Sequence, residues 1–175
     1  MNFILRPWRE SDAATLARYA NDPLIAKNLR DAFPHPYSLD NAKEYIGDCM
    51  ARDGKDCHAR AIEVDGEAVG SIGVFFQSDV YCKNGELGYW LGQPFWRDGI
   101  ISRAIGQICA EVFEQYDIVR IYAEPFAQNI GSRRALEKAG FQLEGTLQKA
   151  VFKNGFFFDS CVYAKLRPEV SRFQD

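Results

Sequence analysis

No Cys-x-x-Cys spacing occurs among the five cysteines (Cys49, Cys57, Cys82, Cys109, Cys161), and only His35 and His58 stand ready to join them. A disulfide framework and a zinc site are both disfavoured, and no metal is expected. Neither G-x-x-x-x-G-K-[ST] nor G-x-G-x-x-G is present, which argues against the common nucleotide-binding α/β folds. Charge of one sign is not in excess: 21 basic residues face 24 acidic ones for a net of -3. Nucleic acid is therefore not an expected partner. No apolar run approaches membrane-spanning length, and Phe3-Ile4-Leu5 is too short for a signal-peptide core, so a cytoplasmic protein without membrane association is expected. There is no internal repeat or linker.

With 47% hydrophobic and 14% aromatic residues over 175 positions, the chain can bury a sizeable core and reads as one domain, residues 1–175. A strand over residues 2–6 stops at Pro7. Ser11 is expected to cap a helix striped by Leu16, Tyr19 and Ala20, and Pro23 to open a short helix reaching about Leu29. The loop 31–37 carries two prolines and several aromatics, as either a lid or a packing flap. Ser38 begins a helix that runs to about Arg52, before Gly54. Residues 58–64 and 67–76 flank Asp65-Gly66, a hairpin signal. In residues 86–91, Leu87, Tyr89 and Leu91 share one face, opposite Glu86, Gly88 and Trp90, with Gly88 hinting at a bulge. Residues 119–124 alternate again between two helical patterns, giving a βαβ-type core. Asn129 caps the second of these helices, Gly140 follows it, and Asn154-Gly155 joins a final hairpin.

The first of the two helices matters most. Ile101, Ala104, Ile105, Ile108, Cys109, Val112, Phe113 and Tyr116 recur at helical spacing, and Gly99 directly precedes them. Amides in its first turn lack intrahelical acceptors. They meet either water and polar side chains or an anion held at the positive end of the helix.

This order of elements resembles the GNAT N-acetyltransferases over nearly the whole chain. The turn Trp96-Arg97-Asp98-Gly99-Ile100-Ile101 is similar to the family's [Arg/Gln]-x-x-Gly-x-[Gly/Ala] motif, whose amides hold the pyrophosphate of acetyl-coenzyme A. The run from Asn129 to Phe141 resembles the N-x-x-S-x-x-x-L-E-K-x-G-F pattern of the ribosomal-protein alanine acetyltransferase subgroup, as do residues 85–91, Pro36-Tyr37-Ser38 and Glu144-Gly145. The resemblance implies an α/β (α+β) fold with a mixed, mostly antiparallel sheet of about seven strands and helices on both faces. It also implies an acetyl-coenzyme A-dependent N-acetyltransferase, a monomer or homodimer. The acceptor would be a primary amine, with a protein N-terminal α-amine favoured over a polyamine or aminoglycoside. A non-catalytic acyl-coenzyme A-binding module is the alternative.

By this resemblance Arg97, Asp98, Gly99, Ile100, Ile101 and Ser102 take the pyrophosphate, with Arg97 or Arg103 adding charge. The Trp90 and Leu91 backbone pairs with the pantetheine arm, Asn129 belongs to the cofactor site, and Phe33 and Tyr37 lie near the acceptor. Ile101 stands where Gly or Ala is usual, and either narrows the site or turns inward as the first core residue of the helix. Leu136 occupies the place of the tyrosine that often protonates the leaving thiolate. Acetyl transfer needs a neutral amine aligned with an already activated carbonyl. Near pH 7 a lysine-like amine costs roughly 4 to 5 kcal/mol to deprotonate, and an α-amine about 1. Glu86 is the candidate base, or else a salt-bridged glutamate; Ser132 is the candidate acid, or else part of the Asn129 cap.

Overall fold

The computed structural model describes residues 1–168; residues 169–175 of the expected domain lie outside them. In chain order the strands are β1 (Ile4–Arg6), β2 (Cys57–Val64), β3 (Glu67–Phe76), β4 (Asn84–Leu91), β5 (Arg120–Ala123), β6 (Gln142–Lys153) and β7 (Phe156–Leu166). The helices are α1 (Ala13–Ala20), α2 (Pro23–Ala26), α3 (Leu39–Arg52), α4 (Ile100–Gln115) and α5 (Ile130–Lys138). The expected α/β class is what forms: one seven-stranded sheet in the order β1-β2-β3-β4-β5-β7-β6, antiparallel except between β4 and β5.

Local chemistry accounts for most of these elements. Asp65 and Gly66 have φ of 50° and 85°, and Asn154 and Gly155 have 51° and 82°, the left-handed pair that a two-residue hairpin needs. Ser38 Oγ accepts from the Asn41 amide while Asn41 Oδ1 accepts from the Ser38 amide, closing the start of α3. Gly140, at φ 89°, ends α5. Each sheet face then receives its helices. Ile100, Ala104, Ile105, Ile108 and Val112 of α4 and Leu136 of α5 pack with Ile62, Val69, Ile72 and Val74 on one face. On the other, Leu16 and Ala20 of α1 and Ala42, Ile46 and Cys49 of α3 pack with Ala59 and Ala61.

Four local expectations change. Ser11 does not cap α1; it lies in a 3-10 turn, and Asp12 Oδ2 accepts from the Arg9 amide at 2.9 Å. The helix from Pro23 ends at Ala26 rather than near Leu29, because Asn28 and Leu29 switch to i−3 acceptors. Gly88 marks no bulge: the β3–β4 register runs unbroken, and a Cβ there would sit 3.6 Å from the Phe75 ring. The buried stripe of α4 starts at Ile100, 1% exposed, while Ile101 is half-buried against the edge of that core.

The parallel pair sets up the site. β4 pairs with β3 as far as Leu91, but with β5 only through Asn84, Gly85 and Glu86. Among the described residues the second edge of β4 therefore has no partner strand beyond Glu86, and β5 ends at Ala123, before Pro125, whose ring nitrogen cannot donate.

Candidate active site

The turn into α4 leaves a run of backbone amides free. Arg97 and Gly99 both hold positive φ, 71° and 70°, so the backbone doubles back before the helix. Among the described residues, the amides of Arg97, Asp98, Gly99, Ile100, Ile101 and Ser102 have no backbone acceptor, and the helical bonding of α4 begins with the Arg103 amide donating to the Gly99 carbonyl. Six such donors at a helix N-terminus are the kind of group that can hold an anion. Ser102 Oγ donates to the Gly99 carbonyl at 3.1 Å and steadies the turn. Arg103 is tied to the turn, its Nε donating to the Gly99 carbonyl at 3.3 Å and its Nη2 to the Met1 carbonyl at 2.7 Å beside the Phe3 ring, while Arg97 is exposed. Ile101 is half-buried and packs against the margin of the core. At the end of β4, Trp96 Nε1 donates to the Leu91 carbonyl at 2.7 Å, so that carbonyl already has one partner.

A cleft of about 820 Å³ lies along β4, where Glu86, Leu87, Gly88, Tyr89 and Trp90 all line it; the residues of the turn into α4 are not part of its wall. Five consecutive strand residues point alternately to opposite faces. They can share one cleft only because it runs through the opening between β4 and β5. Glu86 and Trp90 reach it from the α3 side, where Phe33, Tyr37 and Tyr45 add walls; Tyr89, Asn129 and Ser132 reach it from the α5 side. Phe33 stacks on Tyr37 at 4.9 Å and meets Trp90 edge-on at 5.8 Å, while the Tyr37 amide donates to Asn21 Oδ1. The 31–37 loop is thus packed against the cleft by its aromatics.

Glu86 accepts a hydrogen bond from Arg30, which lies 3.5 Å from Glu124 as well. The Arg30 side chain is 64% exposed, so the pair is open to solvent and to competing cations. Arg30 was not legible as a site residue: it is 56 positions from Glu86, and nothing in its own surroundings marks it. Ser132 does not use its hydroxyl in the helix cap. The cap bond runs from the Ser132 amide to Asn129 Oδ1 at 3.2 Å, and Ser132 Oγ instead lies 2.6 Å from the Tyr89 hydroxyl. Burial pushes the Tyr89 phenol pKa up, with the Ser132 hydrogen bond acting in the opposite sense. The phenol keeps its proton. Alternation puts Tyr89 on one face with Leu87 and Leu91; what alternation cannot show is that this face opens onto the cleft at Tyr89. Leu136, where a tyrosine acid often stands, is fully buried.

The acetyltransferase (GNAT) domain family model matches residues 2–142. The chain is 33% identical over 102 residues to the uncharacterized N-acetyltransferase YoaA of Bacillus subtilis (strain 168), covering 58% of this chain and 57% of YoaA. It is 31% identical over 84 residues to the ribosomal-protein-serine acetyltransferase of Escherichia coli (strain K12), covering 48% and 47%. RimL, a ribosomal L7/L12 alpha-N-protein acetyltransferase solved with coenzyme A, superposes with a TM-score of 0.84 at 21% identity, covering 95% of this chain and 94% of that one.

Proposed function

The chain belongs to the GNAT acetyltransferase family, and on that premise we propose that it moves the acetyl group of acetyl-coenzyme A to a primary amine, with a protein N-terminal α-amine as the favoured acceptor. One observation carries the proposal: a single cleft passes through the sheet where β4 and β5 part, lined by both faces of β4. A thioester laid along the open edge of β4 from the α4 turn meets an amine entering from the α3 side. The amides of residues 97–102 and Arg97 bind the pyrophosphate, Trp90, Leu91 and Asn129 border the arm, and Phe33 and Tyr37 contact the acceptor. Glu86 receives the amine, displacing Arg30, and takes its proton, alone or through water. Ser132 assists departure of the thiol. An α-amine suits this economy, because one carboxylate suffices to remove a proton whose loss costs only about 1 kcal/mol near pH 7. RimL and the E. coli relative act on ribosomal proteins, as their names state, which supports a protein acceptor in the cytoplasm.

A second reading, a polyamine acceptor, is favoured by Glu44 and Asp48, which α3 adds to the Glu86 and Glu124 carboxylates around the cleft. The test is a panel of short peptides with free or blocked N-termini, polyamines and aminoglycosides, each incubated with acetyl-coenzyme A. Mass spectrometry then locates the acetyl group. Acetylation of free N-termini, with lysine side chains untouched, is expected. Transfer to polyamines alone selects the second reading.

A further inference from the structure

The Tyr89–Ser132 pair spans 43 positions of sequence and joins β4 to the first turn of α5 inside the cleft. Ser132 Oγ and the Tyr89 hydroxyl are 2.6 Å apart, and Tyr89 has one further acceptor in reach, the Ser132 carbonyl at 3.4 Å. Two proton arrangements are open to the pair. If Ser132 donated to Tyr89, the phenol proton would be left with the long contact to the carbonyl, beyond ordinary O–H···O distance. If Tyr89 donates, its proton lies in the short bond and the serine proton is free to turn into the cleft. Phenol is also the more acidic hydroxyl and the better donor.

We infer that Tyr89 is a positioning residue for the leaving thiol: its O–H donates to Ser132 Oγ and so directs the serine O–H at the sulfur. The inference rests on the acetyltransferase reading above and adds a residue to it. During transfer the amine nitrogen bonds to the carbonyl carbon, and the carbon–sulfur pair leaves on sulfur. Ser132 donates a hydrogen bond to that sulfur without losing its proton, the amine proton goes to Glu86, and the departing thiolate is protonated by solvent. A hydroxyl that already accepts a hydrogen bond is a stronger donor. Burial serves the same end, since a phenol that resists ionisation retains the proton on which the arrangement depends.

The test is a double-mutant cycle with Tyr89→Phe, Ser132→Ala and the combination, each checked for folding by circular dichroism. Tyr89→Phe is expected to lower kcat about tenfold with the acceptor KM and the calorimetric Kd for acetyl-coenzyme A unchanged, and to cost nothing more in the Ser132→Ala background. A readout independent of turnover is the affinity for free coenzyme A at pH about 9, where a thiol of pKa about 8.5 is largely ionised. Wild type should gain affinity between pH 7 and 9, and Tyr89→Phe should lose part of that gain. Wild-type kcat in Tyr89→Phe, or an equal loss in both backgrounds, overturns the role of Tyr89 alone. Wild-type kcat in Ser132→Ala overturns Ser132 as well, and absence of thiol release by the wild type would sink the underlying reading instead.

Discussion

Two clusters in this protein have the same make-up, one arginine between two carboxylates, and opposite surroundings. Arg6 lies between Asp12 and Glu63, with side-chain exposures of 7%, 9% and 16%, and donates to both oxygens of Asp12 at 2.7 and 2.8 Å. Arg30 lies between Glu86 and Glu124, with exposures of 64%, 24% and 35%, at the mouth of the cleft. Sealed from water, the first has no access for a competing cation, and loss of one partner leaves charge buried. Open to water, the second is screened and exchangeable. The difference teaches that the same ion-paired make-up can be locked inside the fold or left open to a cleft, and only the open one is available for the base role proposed for Glu86.

The largest effect should come from the sealed cluster. Asp12→Asn is expected to cost about 3 kcal/mol in urea unfolding while leaving kcat/KM within twofold of wild type. Its pH dependence has a definite sign. Burial raises the Asp12 pKa, but hydrogen bonds from Arg6 and the Arg9 amide outweigh it and leave the value below the ordinary 3.8. The folded carboxyl is therefore the stronger acid, and its contribution is complete above about pH 4 and lost as pH falls through the folded value. The stability gap between wild type and Asp12→Asn should narrow accordingly below pH 4, which titrated unfolding curves will show.

The open cluster should behave in reverse. Glu86→Gln is expected to lower kcat/KM about 10²-fold with little change in unfolding midpoint. Phe33→Ala, which removes the ring between Tyr37 and Trp90, should raise the acceptor KM about tenfold and leave the acetyl-coenzyme A KM unchanged, as initial-rate kinetics would report. Arg30→Ala should change stability by less than about 1 kcal/mol, and raising the salt concentration should shrink even that difference. A large destabilisation by Arg30→Ala would erase the contrast between the clusters.

Features that depend on near neighbours in sequence were legible. The Asp65-Gly66 and Asn154-Gly155 turns, the Ser38 and Asn129 caps and the apolar stripe of α4 each follow from residues within a few positions of one another. The Gly99 turn was readable for the same reason, since a helix N-terminus carries its own amides. Contacts across long separations were not. Arg30 meets Glu86 over 56 positions, and Tyr89 meets Ser132 over 43. Alternation along β4 put Tyr89 on the face opposite Glu86 and Trp90, but the parting of β4 from β5 beyond Glu86, which opens that face to the cleft, is a property of two strands and leaves no mark on either alone.

The most direct measurement of the central claim is acceptor-dependent thiol release from acetyl-coenzyme A by the wild type and by Gly99→Val, with Gly99→Ala as the milder variant and circular dichroism to confirm folding. A valine at φ 70° is strained and brings a branched side chain to the amides expected to hold the pyrophosphate. The account predicts thiol release by the wild type with a free N-terminal amine, and its loss together with calorimetric binding of acetyl-coenzyme A in folded Gly99→Val. A folded Gly99→Val protein that binds and turns over acetyl-coenzyme A like the wild type would contradict it.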